Sequence, residues 1–478
     1  MTPDNVNGFA PYCHGGLIFC YTPADLAKAY NFPPTTGKGA LTGKGSTIVI
    51  VDAIGSPTLQ SDINTFDSAF GLPPITINIL CGPTWTGSPT DQCPVIVPGS
   101  PLDNLCGEEG WAVETTLDVS MSHALAPGAK IDLVVTNSCT DQDINAAELA
   151  VFLQPKLSGS IMSQSFGEPD YLAGCSGSCT TYNSTIVNQA GLGYLIGTLR
   201  HWTILASSGD DGATEDFSSS GFTDATLTPS WPSTNPLNLA VGGTMGSPYY
   251  GQYNGQAPPY SCPALTNCNT GLLVVNGGPS GCGTGSGLLP EACVPVGYGG
   301  EQAWSEFNTF GIRATTGGGV SAIYGRPFYQ YGLPTSYTTL LGSTVSVTGR
   351  TTPDVSFNAA INGGFLVYLG FMSLFGAPNG IYIIGGTSAA SPAWAAVIAL
   401  LDQKHGGPVG FVNPAIYALG HSRYYSSAFH DITGGNNSDT AGAFGIDGFT
   451  AGTGYDLTTG WGTPNVSNFI TDIMHILF

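Results

Sequence analysis

The chain has 478 residues and a formal net charge of -21, with 42% hydrophobic residues and only 9% charged residues. The hydrophobic content is high enough to form a large core, which argues against intrinsic disorder. The negative charge argues against nucleic acid as a partner, because phosphates are neutralised by basic surfaces. No apolar run approaches the roughly 18 residues of a membrane span, so we expect no membrane association.

The balance of charges also bears on the working pH. The chain has 11 Lys and Arg residues against 32 Asp and Glu residues, and most of its polar residues are uncharged. Proteins usually lose stability in acid because native carboxylates that are paired must take up protons. A surface with few ion pairs has little of this stability to lose. The composition therefore predicts a protein for acidic surroundings.

Twelve cysteines fall mainly in Gly- and Pro-rich segments. No Cys-x-x-Cys pair or histidine cluster accompanies them, which argues against zinc. The even count predicts disulfides and a secreted protein. The N-terminus lacks a basic and then apolar signal sequence, so we expect that any targeting segment has already been removed. The pairing stays open; the close pairs in sequence are Cys13/Cys20, Cys81/Cys93, Cys175/Cys179, Cys262/Cys268 and Cys282/Cys293, with Cys106 and Cys139 left over.

Apolar runs alternate with helical patterns along the first half of the chain. This alternation predicts an α/β fold, with a mostly parallel central sheet flanked by helices. Residues 245–300 interrupt it, and their Gly, Pro, Tyr and Cys content predicts a disulfide-pinned surface insertion within one domain spanning 1–478. Strands are predicted at 46–52, 130–135, 160–166 and 202–208, and helices at 109–125, 144–153 and 185–198.

The helix predicted at 109–125 carries two carboxylates four residues apart, Glu114 and Asp118. Like charges at this spacing repel each other, and on an inward face the cost rises unless they share a proton. The pair therefore indicates acid–base chemistry; the alternative is a helix rotated so that both carboxylates face water. The apolar stripe that sets the predicted inward face is Trp111, Leu117, Met121 and Leu125.

A third carboxylate follows the apolar strand 202–205, in the sequence Ser-Gly-Asp-Asp-Gly at 208–212. A carboxylate at the carboxyl edge of a parallel sheet lies where active sites gather. Asp210 is therefore a candidate site residue, with an ordinary Asp-Gly turn as the alternative.

The sequence Gly-Gly-Thr-Ser at 385–388 separates an apolar strand, 381–384, from a helix that returns to the α/β pattern. At a helix N-terminus, free N–H groups and the helix dipole stabilise negative charge, which suits Ser388 as a nucleophile. An N-cap serine is the alternative. None of the seven histidines has the sequence context of a catalytic base, and His123 is better explained as a helix cap. The carboxylate pair is therefore the candidate base.

Together these stretches resemble the sedolisin family of serine-carboxyl peptidases, which share the subtilisin fold. The resemblance covers roughly residues 40–470 in one order. It implies a subtilisin-like three-layer fold and an acid-active peptidase, with an endopeptidase favoured over a tripeptidyl peptidase. The matching motifs are Gly386 to Pro392, the Glu114/Asp118 pair, Ser208 to Gly212, Ala126-Pro127-Gly128-Ala129, Ser163 to Gly167, Gly317 to Ser321 and Pro353 to Ser356.

The resemblance also implies a role for each site residue. Ser388 attacks the scissile carbonyl, Glu114 acts as general base and then general acid, and Asp118 holds and polarises Glu114. Asp210, in its protonated form, donates a hydrogen bond to the oxyanion together with the Ser388 N–H. Asp211 is adjacent in sequence and is also a carboxylic acid, so the choice of Asp210 over Asp211 rests on the spacing of the family motif.

One structural calcium ion is a further implication of the resemblance. The ligands carried over are the Asp431 and Asp456 carboxylates, the carbonyls of Ile432, Gly452 and Gly454, and water. The same implication covers polypeptide substrates and a propeptide that inhibits the enzyme intramolecularly before maturation; because no propeptide is present, the chain resembles the mature enzyme, which we expect to be a monomer.

Two strand ends are predicted to contact the substrate, because an extended peptide can pair with such an edge. The family often has Glu where this chain has Asp170. The resemblance therefore does not determine which residue forms the floor of the first specificity pocket. The predicted substrate-binding residues are Ser165, Phe166, Gly167, Ser207, Ser208 and Gly209.

Two other functions remain possible from the residues alone. A subtilisin-type serine protease would use Asp52, at the end of the first strand, as the acid of a Ser-His-Asp triad, but no suitable histidine accompanies it. A non-catalytic secreted binding protein on a protease scaffold is the second, although every candidate catalytic residue is present.

Overall fold

The computed structural model describes residues 20–82, 84–88, 91–175, 180–215, 226–246, 260–261, 294–295, 298–306, 314–438, 445 and 447–477. Most of the predicted surface insertion at 245–300 lies outside the described residues. Within it, Tyr260–Ser261 and Val294–Pro295 pair as short antiparallel strands.

A central sheet of eight strands organises the described chain, in the order β7-β6-β5-β4-β1-β3-β2, with β8 also paired to β6. All neighbouring strands run parallel except β6 and β7. The prediction of a mostly parallel sheet is confirmed. It was based on short apolar runs, which are typical of strands buried on both faces. The strands are β1 (Thr47–Ala53), β2 (Asn78–Cys81), β3 (Lys130–Thr136), β4 (Ile161–Gln164), β5 (Thr203–Ser207), β6 (Asn238–Met245), β7 (Gln302–Ala303) and β8 (Val355–Asn358).

The register of the sheet brings its carboxyl ends to one edge. Thr47 of β1 pairs with Lys130 of β3, and the pairing continues without a shift to Ala53 and Thr136. The strands β4 and β5 continue this alignment on the other side of β1. Segments that leave β1, β4 and β5 therefore emerge close together, which is the position of ligand sites in parallel sheets.

Helices cover both faces of this sheet, so the predicted three-layer α/β architecture is confirmed. On one face, Ile48 and Ile50 of β1 share a core with the helices α4 and α7; on the other face, Val49 and Val51 share a core with α5 and α6. The helices are α1 (Pro23–Ala29), α2 (Leu59–Phe70), α3 (Pro101–Cys106), α4 (Glu108–Leu125), α5 (Asp141–Phe152), α6 (Ser184–Leu199), α7 (Thr387–His405), α8 (Asn413–Gly420), α9 (Tyr425–Ala428) and α10 (Val466–Leu477).

None of the helices in the described part of the chain is both long and apolar enough to cross a membrane. Short 3-10 helices lie at Pro155–Leu157, Asp170–Leu172, Gly212–Thr214, Phe328–Gln330 and Met372–Phe375.

The strand before the nucleophile segment lies outside the central parallel sheet. Gly380–Ile384 pairs antiparallel with Gly364–Leu369 in a separate three-stranded sheet completed by Cys20–Tyr21. Four antiparallel pairs complete the described strands: Gly319–Gly325 with Gly349–Thr352, Ser336–Thr338 with Thr344–Ser346, Glu168–Pro169 with Ser230–Trp231, and Phe429–His430 with Thr463–Pro464.

The helix α4 is not amphipathic, contrary to the predicted apolar stripe. Every residue from Thr115 to Leu125 is buried, because α4 packs between the sheet, α7, α2 and the three-stranded sheet. His123 does not cap the helix either. Its Nε2 atom lies 2.9 Å from the Pro73 carbonyl oxygen and 3.1 Å from Asp67 Oδ1.

Disulfides were predicted from the cysteine count, and they are present. Cys81 is bonded to Cys93, which are close in sequence, whereas Cys106 and Cys139 are 33 residues apart and are bonded to each other. The second bridge joins the end of α3 to the loop before α5. Cys20 and Cys175 each take part in a further disulfide.

Candidate active site

The nucleophile segment turns sharply between the strand Gly380–Ile384 and the helix α7. Gly386 has φ +112°, a conformation that favours glycine, and its N–H donates to the Ala359 carbonyl at 2.7 Å. Ser388 is the second residue of α7 and is partly exposed. Its backbone N–H is therefore among those at the helix N-terminus without an intrahelical acceptor. The chain here can present both a hydroxyl and an N–H donor to one point.

The start of α7 is tied to the strand β4 by serine contacts. Ser391 and Ser163 place their Oγ atoms 2.9 Å apart, and the Ser165 hydroxyl donates to the Ser388 carbonyl at 3.2 Å. These contacts fix the height of Ser388 above the carboxyl edge of the sheet.

Glu114 and Asp118 lie one turn apart on α4, with Glu114 near Ser388 and Asp118 behind Glu114 and near Ser165. The Ser388 hydroxyl and the Asp118 carboxyl lie near enough to Glu114 to shift its pKa, and Ser165 lies near enough to shift the pKa of Asp118. The contacts are looser than standard hydrogen bonds, because Glu114 Oε1 and both Asp118 oxygens are buried without a partner of standard geometry among the described residues. Catalytic hydrogen bonds are often loose before substrate binds.

Burial dominates the electrostatics of this carboxyl pair. It raises the pKa of both Glu114 and Asp118 well above their usual values, and the nearby charge of Asp52 raises both pKa values further. The Ser388 hydroxyl acts in the opposite direction on the pKa of Glu114, because it can donate to the ionised form. The alternative of a pair facing water does not hold, since Asp118 is fully buried. Such a cluster keeps protons that separate carboxylates would lose.

Asp52 is a member of this cluster that the sequence interpretation missed. It lies near the end of β1, is fully buried, and has no partner of standard geometry for either carboxyl oxygen among the described residues. Burial raises its pKa to about 7, and the Thr115 hydroxyl opposes this shift. The signal in the sequence is an aspartate at the carboxyl end of an apolar strand, which predicts a site residue there without a histidine partner.

Asp210 lies against the nucleophile segment through Thr387. Its Oδ1 atom accepts hydrogen bonds from the Thr387 N–H at 2.8 Å and from the Thr387 hydroxyl at 2.7 Å. Burial raises its pKa, and both Thr387 bonds lower it. The neighbouring Asp211 forms a backbone bridge with Thr315 and donates its N–H to Glu215. The structure thus places Asp210, rather than Asp211, beside residue 388.

The two segments predicted to contact the substrate, 165–167 and 207–209, differ in how many of their backbone N–H and carbonyl groups are already hydrogen-bonded. The Ser208 N–H donates to Val241, the Gly209 N–H donates to the Thr387 hydroxyl, and the Gly209 carbonyl accepts from Gly317. Ser207 and Ser208 are also buried. The segment 207–209 therefore supports the nucleophile loop and offers few groups to a ligand.

The segment 165–167 is more open. Within the described residues, the backbone N–H and carbonyl groups of Phe166 and Gly167 form no hydrogen bond. Phe166 is partly exposed and its ring centre lies 6.2 Å from that of Trp111. Asp170, by contrast, is fully buried and its carboxylate accepts hydrogen bonds from Thr234, Ser321 and Ala322. Its hydrogen bonds hold the strand Gly319–Gly325 and the Thr234 segment against the segment around residue 170.

The predicted calcium ligands come together around one loop. The Gly454 N–H donates to both carboxylate oxygens of Asp431, at 3.0 and 3.1 Å, and the Gly452 N–H donates to Asp456 at 2.9 Å. Among the described residues, the carbonyls of Ile432, Gly452 and Gly454 accept no backbone hydrogen bond. Two carboxylates and three free carbonyls are a donor set of hard oxygens, which suits calcium.

Asp456 has a second set of contacts in this loop. Its carboxylate also accepts from the N–H and hydroxyl groups of Thr458 and Thr459. The carboxylate is therefore held in place by protein donors alone. In the described part of the chain, no three His, Cys, Asp or Glu side chains are grouped so that they could hold a metal ion.

Two curated proteins, kumamolisin and sedolisin, align with most of this chain. No protein-family model matches the chain. It is 30% identical over 446 residues to kumamolisin from Bacillus sp. (strain MN-32) and 26% identical over 455 residues to sedolisin from Pseudomonas sp. (strain 101). Each alignment covers 93% of this chain but only 62% and 61% of the respective relative, so the chain spans about three fifths of their length.

Among solved structures, the chain is similar to Pseudomonas sedolisin, a serine-carboxyl proteinase complexed with pseudo-iodotyrostatin. The TM-score is 0.67 at 23% sequence identity, and the match covers 96% of this chain and 99% of that chain. The similarity extends over nearly the whole fold, and it confirms the predicted fold class.

Proposed function

The chain belongs to the sedolisin family, and from this premise we propose that it is a serine-carboxyl peptidase that hydrolyses peptide bonds through an acyl-enzyme on Ser388. The observation that carries the proposal is the continuous set of contacts from the Ser388 hydroxyl to Glu114 and on to Asp118, in a buried site. Serine needs a base to become a nucleophile, and this carboxyl cluster is the group within its reach.

In the first step, the Ser388 oxygen attacks the carbonyl carbon of the substrate peptide bond while the Glu114 carboxylate takes the hydroxyl proton. Glu114 then gives this proton to the departing amine, which leaves an ester on Ser388. Water attacks the ester by the same route in reverse, with Glu114 acting again as base and then as acid. Asp118 orients Glu114, and together with Asp52 it buffers the proton within the cluster.

Asp210 stabilises the oxyanion that forms in both steps. Its Oδ1 atom already accepts two hydrogen bonds from Thr387, so a proton on the carboxyl group belongs on Oδ2. Only a neutral carboxylic acid can donate to an oxyanion, and the raised pKa of Asp210 favours that form. The Ser388 N–H is the second donor.

Acid activity follows from the same requirement. The low charge content of the chain and its disulfides support a secreted enzyme that works in acidic surroundings. Like its relatives in this family, such an enzyme would be released from a propeptide-containing precursor, with the propeptide as its inhibitor before maturation.

Polypeptides are the proposed substrates, bound as an extended strand. The open backbone of Phe166 and Gly167 offers hydrogen-bonding groups to such a strand. We favour internal cleavage, with tripeptide release from the N-terminus as the alternative. Peptides with an acetylated N-terminus distinguish the two activities, since a tripeptidyl peptidase needs a free amine.

One calcium ion is proposed at the loop of Asp431, Ile432, Gly452, Gly454 and Asp456. The ion would supply structural cross-linking between the segments around 431 and 452–456, and it takes no part in the bond-breaking steps. The free carbonyls and the preset Asp456 carboxylate support this placement.

The proposed reaction is tested by hydrolysis of an unfolded protein as a function of pH. We expect wild type to have an optimum well below pH 6, and Glu114→Gln to lose at least about 100-fold in kcat/KM, as is usual when an acid–base group is removed. The matched control is Glu109→Gln, an exposed residue on the same helix. Activity of Glu114→Gln equal to that of the control would disprove the role of Glu114, and an inactive wild type at every pH would favour a non-catalytic binding protein.

A further inference from the structure

A polar groove lies at the opposite end of the sheet from Ser388. It has a volume of about 460 Å³ and is lined where the strands β1 and β3 begin and where the helix α7 ends. The strand β1 has seven residues, so the groove and the carboxyl edge of the sheet are separated by about 20 Å. The groove is therefore distinct from the candidate active site.

Positive charge is concentrated in this groove. The whole chain contains only six lysines, and three of them, Lys44, Lys130 and Lys156, line the groove from three different segments. All three are exposed, and within the described residues none of them forms a salt bridge. A protein with a net charge of -21 thus gathers half of its lysines at one place. Of the three, Lys130 has a charge interaction with the carboxylate of Asp132.

One acidic side chain, Asp402, lines the groove. It is 4% exposed, and its Oδ1 atom accepts the Val409 N–H at 2.8 Å. Burial raises the pKa of Asp402 to about 7, so this carboxyl group is mostly neutral in acid. Protonation of Asp402 therefore leaves the lining of the groove without a negatively charged side chain.

Both walls of the groove are held by hydrogen bonds. Gln403 accepts the backbone N–H groups of Thr42, Gly43 and Lys44 at 2.8, 2.8 and 3.1 Å, which fixes the Lys44 loop against the end of α7. On the other wall, the Gly159 N–H donates to the Arg200 carbonyl at 2.9 Å. The lysines therefore project from a preorganised frame, which lowers the cost of binding.

The rest of the lining suits small, highly charged groups. It contains serine, threonine and glycine residues and no aromatic side chain, so it offers no stacking surface. At Gly45, Gly406 and Gly407, the space where a side chain would begin is open. A ligand can therefore approach the backbone closely between the lysines.

We propose that this groove binds a strong-acid oxyanion, a sulfate or phosphate group, through Lys44, Lys130 and Lys156. Carboxylate ligands lose their charge in acid, whereas sulfate esters stay anionic and phosphates keep at least one negative charge near neutral pH and below. The same chemistry can come from a free ion or from a group attached to a polymer. The proposal does not depend on the peptidase activity, because the groove and Ser388 lie at opposite ends of the sheet.

Calorimetric titration tests the proposal, with inorganic pyrophosphate, dextran sulfate and uncharged dextran as probes in buffers of low and high salt. The test variant is Lys44→Gln/Lys130→Gln/Lys156→Gln. The control variant, Lys28→Gln/Lys38→Gln/Arg423→Gln, removes the same number of charges at positions that do not line the groove. Unfolding by heat checks that both variants fold.

We expect wild type and the control variant to bind an anionic probe with similar affinity, and the groove variant to lose at least tenfold. High salt should weaken the binding of the anionic probe to wild type steeply. Uncharged dextran should not bind at either salt concentration. Binding of pyrophosphate would identify a free ion as sufficient, whereas binding of dextran sulfate alone would identify a polymer-borne group. Equal affinity in wild type and the groove variant, an equal loss in the control variant, or no binding of either anion would overturn the proposal.

Discussion

Glu148 is a buried acid outside the proposed active site, and it provides a test of how pH controls the stability of this fold. It lies on α5, is 1% exposed, and its Oε1 atom has no hydrogen-bond partner of standard geometry among the described residues. The nearby Tyr194 hydroxyl donates to Gln164 at 2.9 Å. Burial raises the pKa of Glu148 from 4.5 to about 8, and Tyr194 opposes this shift only in part.

The sign of the effect follows from proton linkage. Between pH 4.5 and about 8, folded Glu148 keeps a proton that the unfolded chain has released, so the free energy of unfolding falls as pH rises. The contribution is fully present below pH 4.5 and is lost as pH rises through the folded pKa. With these two pKa values, the loss between pH 5 and pH 7 is about 2.5 kcal/mol. Glu148→Gln has no proton to lose and should be free of this term.

The measurement is urea unfolding at pH 5 and pH 7 in a Ser388→Ala background, which prevents self-digestion. We expect the fall in unfolding free energy between the two pH values to be smaller by about 2.5 kcal/mol in Glu148→Gln than in the parent. The exposed-residue variant Glu109→Gln should fall as the parent does. Parallel curves for Glu148→Gln and the parent would refute the reasoning.

Three further outcomes follow from the site. Thr387→Val removes the hydroxyl that donates to Asp210 at 2.7 Å, and we expect kcat/KM to fall about 10- to 100-fold. The control Thr387→Ser should retain activity. Unchanged kinetics in Thr387→Val would speak against Asp210 as an oxyanion donor. Asp52→Asn removes a charge that raises the pKa of Glu114, so the acidic limb of the pH–rate profile should move to lower pH, and an unmoved limb would place Asp52 outside the proton-sharing cluster. Chelation of calcium should lower the melting temperature of wild type but not of Asp431→Asn, as judged by calorimetry; equal sensitivity of the two proteins would contradict the proposed calcium site.

The parallel sheet could be predicted because its strands are short and apolar on both faces. Ile48, Val49, Ile50 and Val51 are each completely buried, and only a strand covered by helices on two sides has this pattern. The strand bounds of β1 and β3 shifted by one residue or less at each end relative to the predicted spans. Local sequence was sufficient here because each strand is defined by its own residues.

The surroundings of Glu114 could not be predicted in the same way. Small polar residues such as Thr116 and Ser120 are fully buried on α4, so hydrophobic periodicity gave no sign that the helix is enclosed on all sides. The bridge between Cys106 and Cys139 was missed for a related reason, since residues 33 apart in sequence are brought together only by the packing of α3 beside the loop that precedes α5.

The contact between Gly386 and Asp210 restricts how this protein can be altered. A Cβ atom built on Gly386 would lie 2.7 Å from Asp210 Oδ2, closer than carbon and oxygen can approach without a shift. Even alanine at position 386 would push aside the very oxygen assigned to carry the proton. Engineering of specificity or thermal tolerance should therefore leave this glycine unchanged and place diversity elsewhere, for example along the open segment after β4.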